Sequence, residues 1–163
     1  MELNVETIVL VIIGLSGLFL VGFVLKKHLG RLQRRRELQK KLNEITGVTH
    51  LQASKKEFFS DKLLVLDKAN KKLVFLDYFN VKNNAIIDLQ DLKECKLHVR
   101  NLVVQLELKF DNPYRDSCFI VFYQRFIAPE YERYRLTIKA RRWNDMLTQA
   151  IASTREFEYG ITG

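Results

Sequence analysis

The chain reads as an α+β protein, mainly antiparallel β. An apolar N-terminal helix precedes about five to seven strands in a barrel or sandwich, and one C-terminal helix caps them. Three observations predict this. Residues 8–25 contain no ionisable side chain, from residue 62 the apolar residues recur at a period of two, and after Pro129 the period returns to that of a helix.

The first element is "IVLVIIGLSGLFLVGFVL", Ile8 to Leu25, 18 residues with only Ser16 polar. At 1.5 Å per residue it is about 27 Å long, enough to cross a bilayer, and it lacks the polar face of a buried core helix. It is therefore expected to be a single-pass transmembrane helix within an anchor over residues 1–25. Gly14, Gly17 and Gly22 are not spaced for helix dimerisation. A cleaved signal peptide places its positive charge before the apolar run, whereas here Glu2 and Glu6 precede it and Lys26 and Lys27 follow. That order predicts an N-terminus outside the plasma (inner) membrane and residues 26–163 in the cytosol.

Charge is concentrated behind this run. The chain has 27 Lys and Arg against 19 Asp and Glu, and residues 26–41 alone hold eight of the former against a single Glu37. A nucleic-acid-binding domain spreads its basic residues over the folded part, so specific nucleic-acid binding is not expected, and a nucleic-acid-binding membrane protein stands as the weaker alternative. Lys26, Lys27, Arg31, Arg34, Arg35, Arg36, Lys40 and Lys41 form first a topology signal. Leu38, Leu42 and Ile45 recur at helical spacing, so residues 26–46 also read as a basic amphipathic helix able to lie on anionic lipid. Gly47 ends the pattern, and residues 47–56 read as a linker.

A folded domain is expected over residues 57–155. "KLLVLDKANKKLVFLDY", Lys62 to Tyr78, holds two apolar runs around a turn in which Asp67 and Asn70 tolerate unusual backbone angles. Asn83 to Leu89 is a short strand. In the next two, Cys95, Leu97 and Val99 alternate with Lys96, His98 and Arg100, and Leu102, Val104, Leu106, Leu108 and Phe110 alternate with Gln105, Glu107 and Lys109. "CFIVFY", Cys118 to Tyr123, is apolar on both faces and is placed centrally or beneath a cover. The helix expected at about 130–153 aligns Leu136, Ala140, Trp143, Leu147, Ala150 and Ile151 on one side to supply that cover. Residues 156–163 form the tail.

No catalytic, cofactor or metal site is expected. Three His and two Cys show no paired ligand spacing, and neither a Gly-rich phosphate loop, HExxH nor GxSxG occurs. Cys95 and His98 are an odd number of residues apart, which on a strand sends them to opposite faces. Asp88, Asp91 and Glu94 read as solvated turn residues. Lys68, Lys71 and Lys72 give the first hairpin a small basic tip that, with the juxtamembrane tract, makes up the candidate anionic-lipid contacts.

The "DKANKK" turn, "IIDLQDL", the "DNP" turn and "KARRWNDML" resemble the pleckstrin-homology-like domains of many bacterial proteins, over about residues 57–153. Asn70, Lys71, Lys72, Asp91, Leu92, Asn112, Pro113 and Trp143 stand at the matching places. Many members have a long insertion between the fourth and fifth strands, where this chain has only Asn101. The resemblance implies a non-enzymatic scaffold of seven strands and a capping helix. The first choice is a membrane-anchored cytosolic module that binds a protein partner, and the alternative is a lipid-sensing module.

Overall fold

The computed structural model describes residues 5–159, and the side chains of residues 5–18, 20, 27 and 156–159 lie outside the described residues. The chain is α+β: helix α1 (Val5–Thr49), seven strands in two antiparallel sheets, and helix α2 (Glu130–Tyr159). Sheet A has the order β1 (Lys55–Phe59), β2 (Lys62–Asp67), β3 (Lys72–Asp77), β4 (Ala85–Asp88). Sheet B has the order β5 (Leu92–Val99), β6 (Val103–Phe110), β7 (Cys118–Gln124).

The expected transmembrane helix, and with it the membrane-anchored fold class, is corrected: among the described residues no helix is long and apolar enough to cross a membrane. The side chains of residues 8–18 and 20 of that expected span lie outside the described residues.

The second half of α1 also behaves differently from a lipid-lying helix. Leu38 and Leu42 are buried against Leu63, Val65, Val74 and Leu76, together with Leu51 and half-buried Ile45. The reason lies in β2 and β3, each with five consecutive buried residues, which means that sheet A is covered on both faces. Leu64, Leu66, Leu73 and Phe75 point the other way, into the main core with sheet B and α2. The helix passes through Gly47 and stops where His50 takes a left-handed backbone (φ 51°), its N–H bonded to the Thr46 carbonyl at 2.9 Å.

The first hairpin forms at the expected turn, but its left-handed residue is Lys71 (φ 52°) rather than Asp67 or Asn70. The buried Asp67 carboxylate accepts the backbone N–H of Asn70 at 2.9 Å, the Asn70 side-chain amide at 2.8 Å and the Gln52 N–H at 2.6 Å. Asn70 acts as a donor here, and its amide also reaches the His50 carbonyl at 3.2 Å, so the turn is knitted to the connection from α1. Burial acts to raise the Asp67 carboxyl, but the Asn70 and Gln52 hydrogen bonds outweigh it and hold the group below the ordinary carboxylate range. An unfolded Asp titrates near ~3.9, so the stabilisation is fully present above that pH and is lost as pH falls through the lower folded value. Asp67→Asn is therefore expected to flatten the acid side of the stability–pH curve; parallel curves in thermal unfolding would contradict this.

The two sheets meet where β1 approaches β7. Phe59 stacks on Phe122 with ring centroids 4.2 Å apart and planes 7° from parallel. Lys62 Nζ donates to the Val121 carbonyl at 2.8 Å and lies 3.6 Å from the Asp77 carboxylate. β7 is thus an edge strand of sheet B rather than a central one, and its apolar run serves this junction as well as the core beneath α2. Leu102, expected inside, is exposed in the β5–β6 turn, whereas Val104, Leu106, Leu108 and Phe110 are buried as expected.

Helix α2 buries Leu136, Ala140, Trp143, Leu147, Ala150 and Ile151 in the main core and runs on to Tyr159. The Trp143 indole N–H donates to Glu57 Oε2 at 2.8 Å, and Lys139 Nζ lies 2.5 Å from Glu57 Oε1. Burial acts to raise Glu57, but these two donors hold it low. This bond pins α2 to β1, the strand that the sequence does not announce.

Candidate functional site

The groups with enzymatic chemistry are kept apart. Cys95 faces the core and its thiol is pushed up to about 12, by burial first and then by Glu94, so it is no thiolate at neutral pH. His98 occupies the opposite face of β5, 2.7 Å from Glu107 Oε2, and that hydrogen bond lowers the Glu107 carboxyl. Among the described residues no group of three His, Cys, Asp or Glu side chains is placed to hold a metal ion. Asp91 meets Arg115 at 3.0 Å and Glu94 meets Lys96 at 3.1 Å, while Asp88 is solvated.

The basic residues singled out in the sequence divide between places. On α1, Lys26, Arg36 and Lys40 are exposed and Lys41 is half-buried, while the side chain of Lys27 lies outside the described residues. Arg31 reaches Glu132 of α2 at 4.0 Å, Arg34 meets Asp61 at 3.2 Å and stacks over Phe79, and Arg35 lies over Phe58. Much of the tract therefore clamps α1 to the domain. Lys68 and Lys71 sit at the far tip of the first hairpin, beside a depression of about 360 Å³ shared with Gln149, Ser153 and Thr154; Lys72 is half-buried at the start of β3. The structure does not bring the α1 and hairpin lysines together.

What it does assemble is a groove between β5 and α2, which sequence reasoning missed. β5 is bonded to β6 along one side only, and its other side faces α2 rather than a strand. Two α2 arginines reach over the ends of this edge. Arg155 donates to the Leu92 carbonyl at 3.1 Å while paired with Asp111 at 2.7 Å, and Arg133 donates to the Arg100 carbonyl at 3.4 Å. Between these points the edge lies beside a depression of about 310 Å³, bordered by Lys93, Cys95, Ile151 and Ala152. A second, of about 440 Å³, is bordered by Val99, Tyr134, Thr137, Ile138 and Arg141. Along the core-facing side of β5, Cys95 is buried, Leu97 half-buried and Val99 exposed, so the cleft widens toward the start of α2. The only sequence signal was Val99, an apolar residue at an inward position with no α2 residue to cover it.

Chemically this is a strand edge beside two shallow depressions of mixed lining, with Lys93, Arg133 and Arg141 and the acidic Glu94 and Glu130 around it. An open strand edge is the kind of surface to which an extended chain can add through backbone hydrogen bonds. Comparison with known proteins gives no match, since no family model fits the chain and no curated protein or solved structure is significantly similar to it.

Proposed function

We propose that the chain is a non-catalytic interaction module, related in layout to the pleckstrin-homology-like domains, that receives an extended segment of a protein partner along β5 at the cytosolic face of the plasma membrane. The observation that carries this reading is the β5 edge, tied at Leu92 and Arg100 to α2 arginines and bordered by two depressions of mixed polar and apolar lining. The likeness in layout is supported by a four-stranded and a three-stranded antiparallel sheet with one C-terminal helix against them. The cytosolic placement is supported by the free thiols of Cys95 and Cys118.

Blocking the groove tests it. Ile138 and Ala152 are exposed on its α2 wall. Ile138→Glu with Ala152→Trp is expected to abolish capture of a partner from detergent extracts by the full chain while the thermal midpoint stays within ~2 °C, as for surface changes. Phe119→Glu, on the outer face of sheet B, is expected to leave capture intact. Equal capture by all three chains would contradict a partner site in this groove.

A further inference from the structure

The two ends of the β domain differ in kind. At one end lie the β1–β2 turn, the β3–β4 loop, the β5–β6 turn and the β7–α2 connection. They are joined by hydrogen bonds from the Tyr78 N–H to the Asp61 carbonyl (3.0 Å) and from the Arg125 N–H to the Leu102 carbonyl (3.0 Å). Arg34 on Asp61 and Arg31 on Glu132 bring α1 to this same end. At the opposite end lie the first hairpin tip, the Asp91 turn and the "DNPYRD" loop, linked by Arg115 to Asp91 and Arg155 to Asp111.

Exposed apolar side chains gather at the first end. Phe126 is 85 % exposed, Ile127 78 %, Tyr131 77 %, Phe79 69 % and Leu102 50 %. They come from three separate connections and the first turn of α2, so no single loop's composition explains the cluster. Around them stand exposed Lys82, Arg100, Arg125 and Arg135. Of the acidic groups at this end, Asp61 is held by Arg34, Asp77 by Lys62 and Glu132 by Arg31 and Arg135, which leaves Glu130 as the exposed one. Among the described residues, the opposite end shows exposed Tyr114 amid Asp88, Gln90, Asp91, Asn112 and Asp116, and exposed Val48 near the end of α1.

We infer that the Phe79–Phe126 end of the domain docks on a bilayer surface containing anionic lipid. Continuity with α1 identifies the occupant. The helix leaves the domain here, and the turns just before Arg31 expose Phe23, Val24, Leu25 and Leu29; Leu25 is about 9 Å along the axis from Arg31. A helix turn exposing Phe23, Val24, Leu25 and Leu29 beside a cluster of aromatics and arginines has the chemistry of the lipid interface, where Tyr and Phe rings settle at headgroup depth and arginines meet phosphates. This orientation turns the hairpin lysines Lys68 and Lys71 away from the bilayer and sets the Val99 end of the β5–α2 groove nearest to it. The inference goes beyond the groove reading and does not depend on it.

The single native tryptophan, Trp143, is buried and gives a constant background. Phe126→Trp and Tyr114→Trp place one reporter at each end of the full chain. With vesicles of phosphatidylcholine and phosphatidylglycerol containing a nitroxide-labelled lipid, residue 126 is expected to shift to the blue and to be quenched several-fold more than residue 114. The difference should shrink in phosphatidylcholine alone. Equal quenching at the two positions, stronger quenching at 114, or a chain that does not sediment with the vesicles would overturn the inference. Failure of the groove variants to alter partner capture would leave this result untouched.

Discussion

Replacing Trp143 with alanine is expected to destabilise the full chain by about 3–5 kcal/mol, a large part of the stability of a small domain. The indole is fully buried between α2 and the sheets, so its removal leaves a cavity that neighbours set in two sheets fill poorly. The loss has a second component, because Glu57 Oε2 forfeits the indole donor and keeps Lys139 on its other oxygen. Trp143→Phe separates the two: it retains most of the volume and is expected to cost about 1–3 kcal/mol for the stranded carboxylate oxygen. Urea unfolding measures both. An alanine variant within 1 kcal/mol of the parent, by the same scale, would mean that α2 does not close the core through this residue.

The second large effect is expected at Leu38 and Leu42. Each Leu→Ala change at a buried site costs about 2–5 kcal/mol, and the pair should cost less than the sum because both cover the same strand residues. The double variant should expose Leu63, Val65, Val74 and Leu76, bind a hydrophobic dye, and be cut by protease within residues 43–54. On a helix whose leucines faced lipid, the same changes would leave domain stability unmoved in detergent. That outcome would return Leu38 and Leu42 to a lipid face and detach α1 from sheet A.

The contrast between these residues shows what pattern alone conveys. Periodicity shows that Leu38, Leu42 and Ile45 share a face, but it is silent on what covers that face, and a basic tract drew the reading toward lipid. The information was present elsewhere: "KLLVLD" and "KLVFLD" are apolar on both sides, which requires a second cover for their sheet. Strand β6 was legible because strict alternation of Val104, Leu106, Leu108 and Phe110 with polar residues fixes both strand and face. The first hairpin was legible because Asp67 and Asn70 act locally.

β1 was not legible. "KKEFF" has no alternation, only Phe59 is buried, and the strand exists by pairing with β2 and by the long-range bonds from Trp143 and Lys139 to Glu57. The groove escaped for a similar reason. It is made by two elements joined across 33 residues at Arg133 and 63 residues at Arg155, and single-strand alternation says nothing about where a distant helix diverges.

The β5–α2 groove is addressed most directly by photo-crosslinking in living cells, with a benzophenone amino acid placed in the full chain at Lys93 and at Ile138. Phe119 and Tyr114 serve as controls on the outer face of sheet B and at the far end. A module that takes an extended segment along β5 should give the same discrete crosslinked protein from residues 93 and 138, and none from 119 or 114. Crosslinks to that protein from 119 or 114 alone, or no discrete product from either groove position, would contradict it.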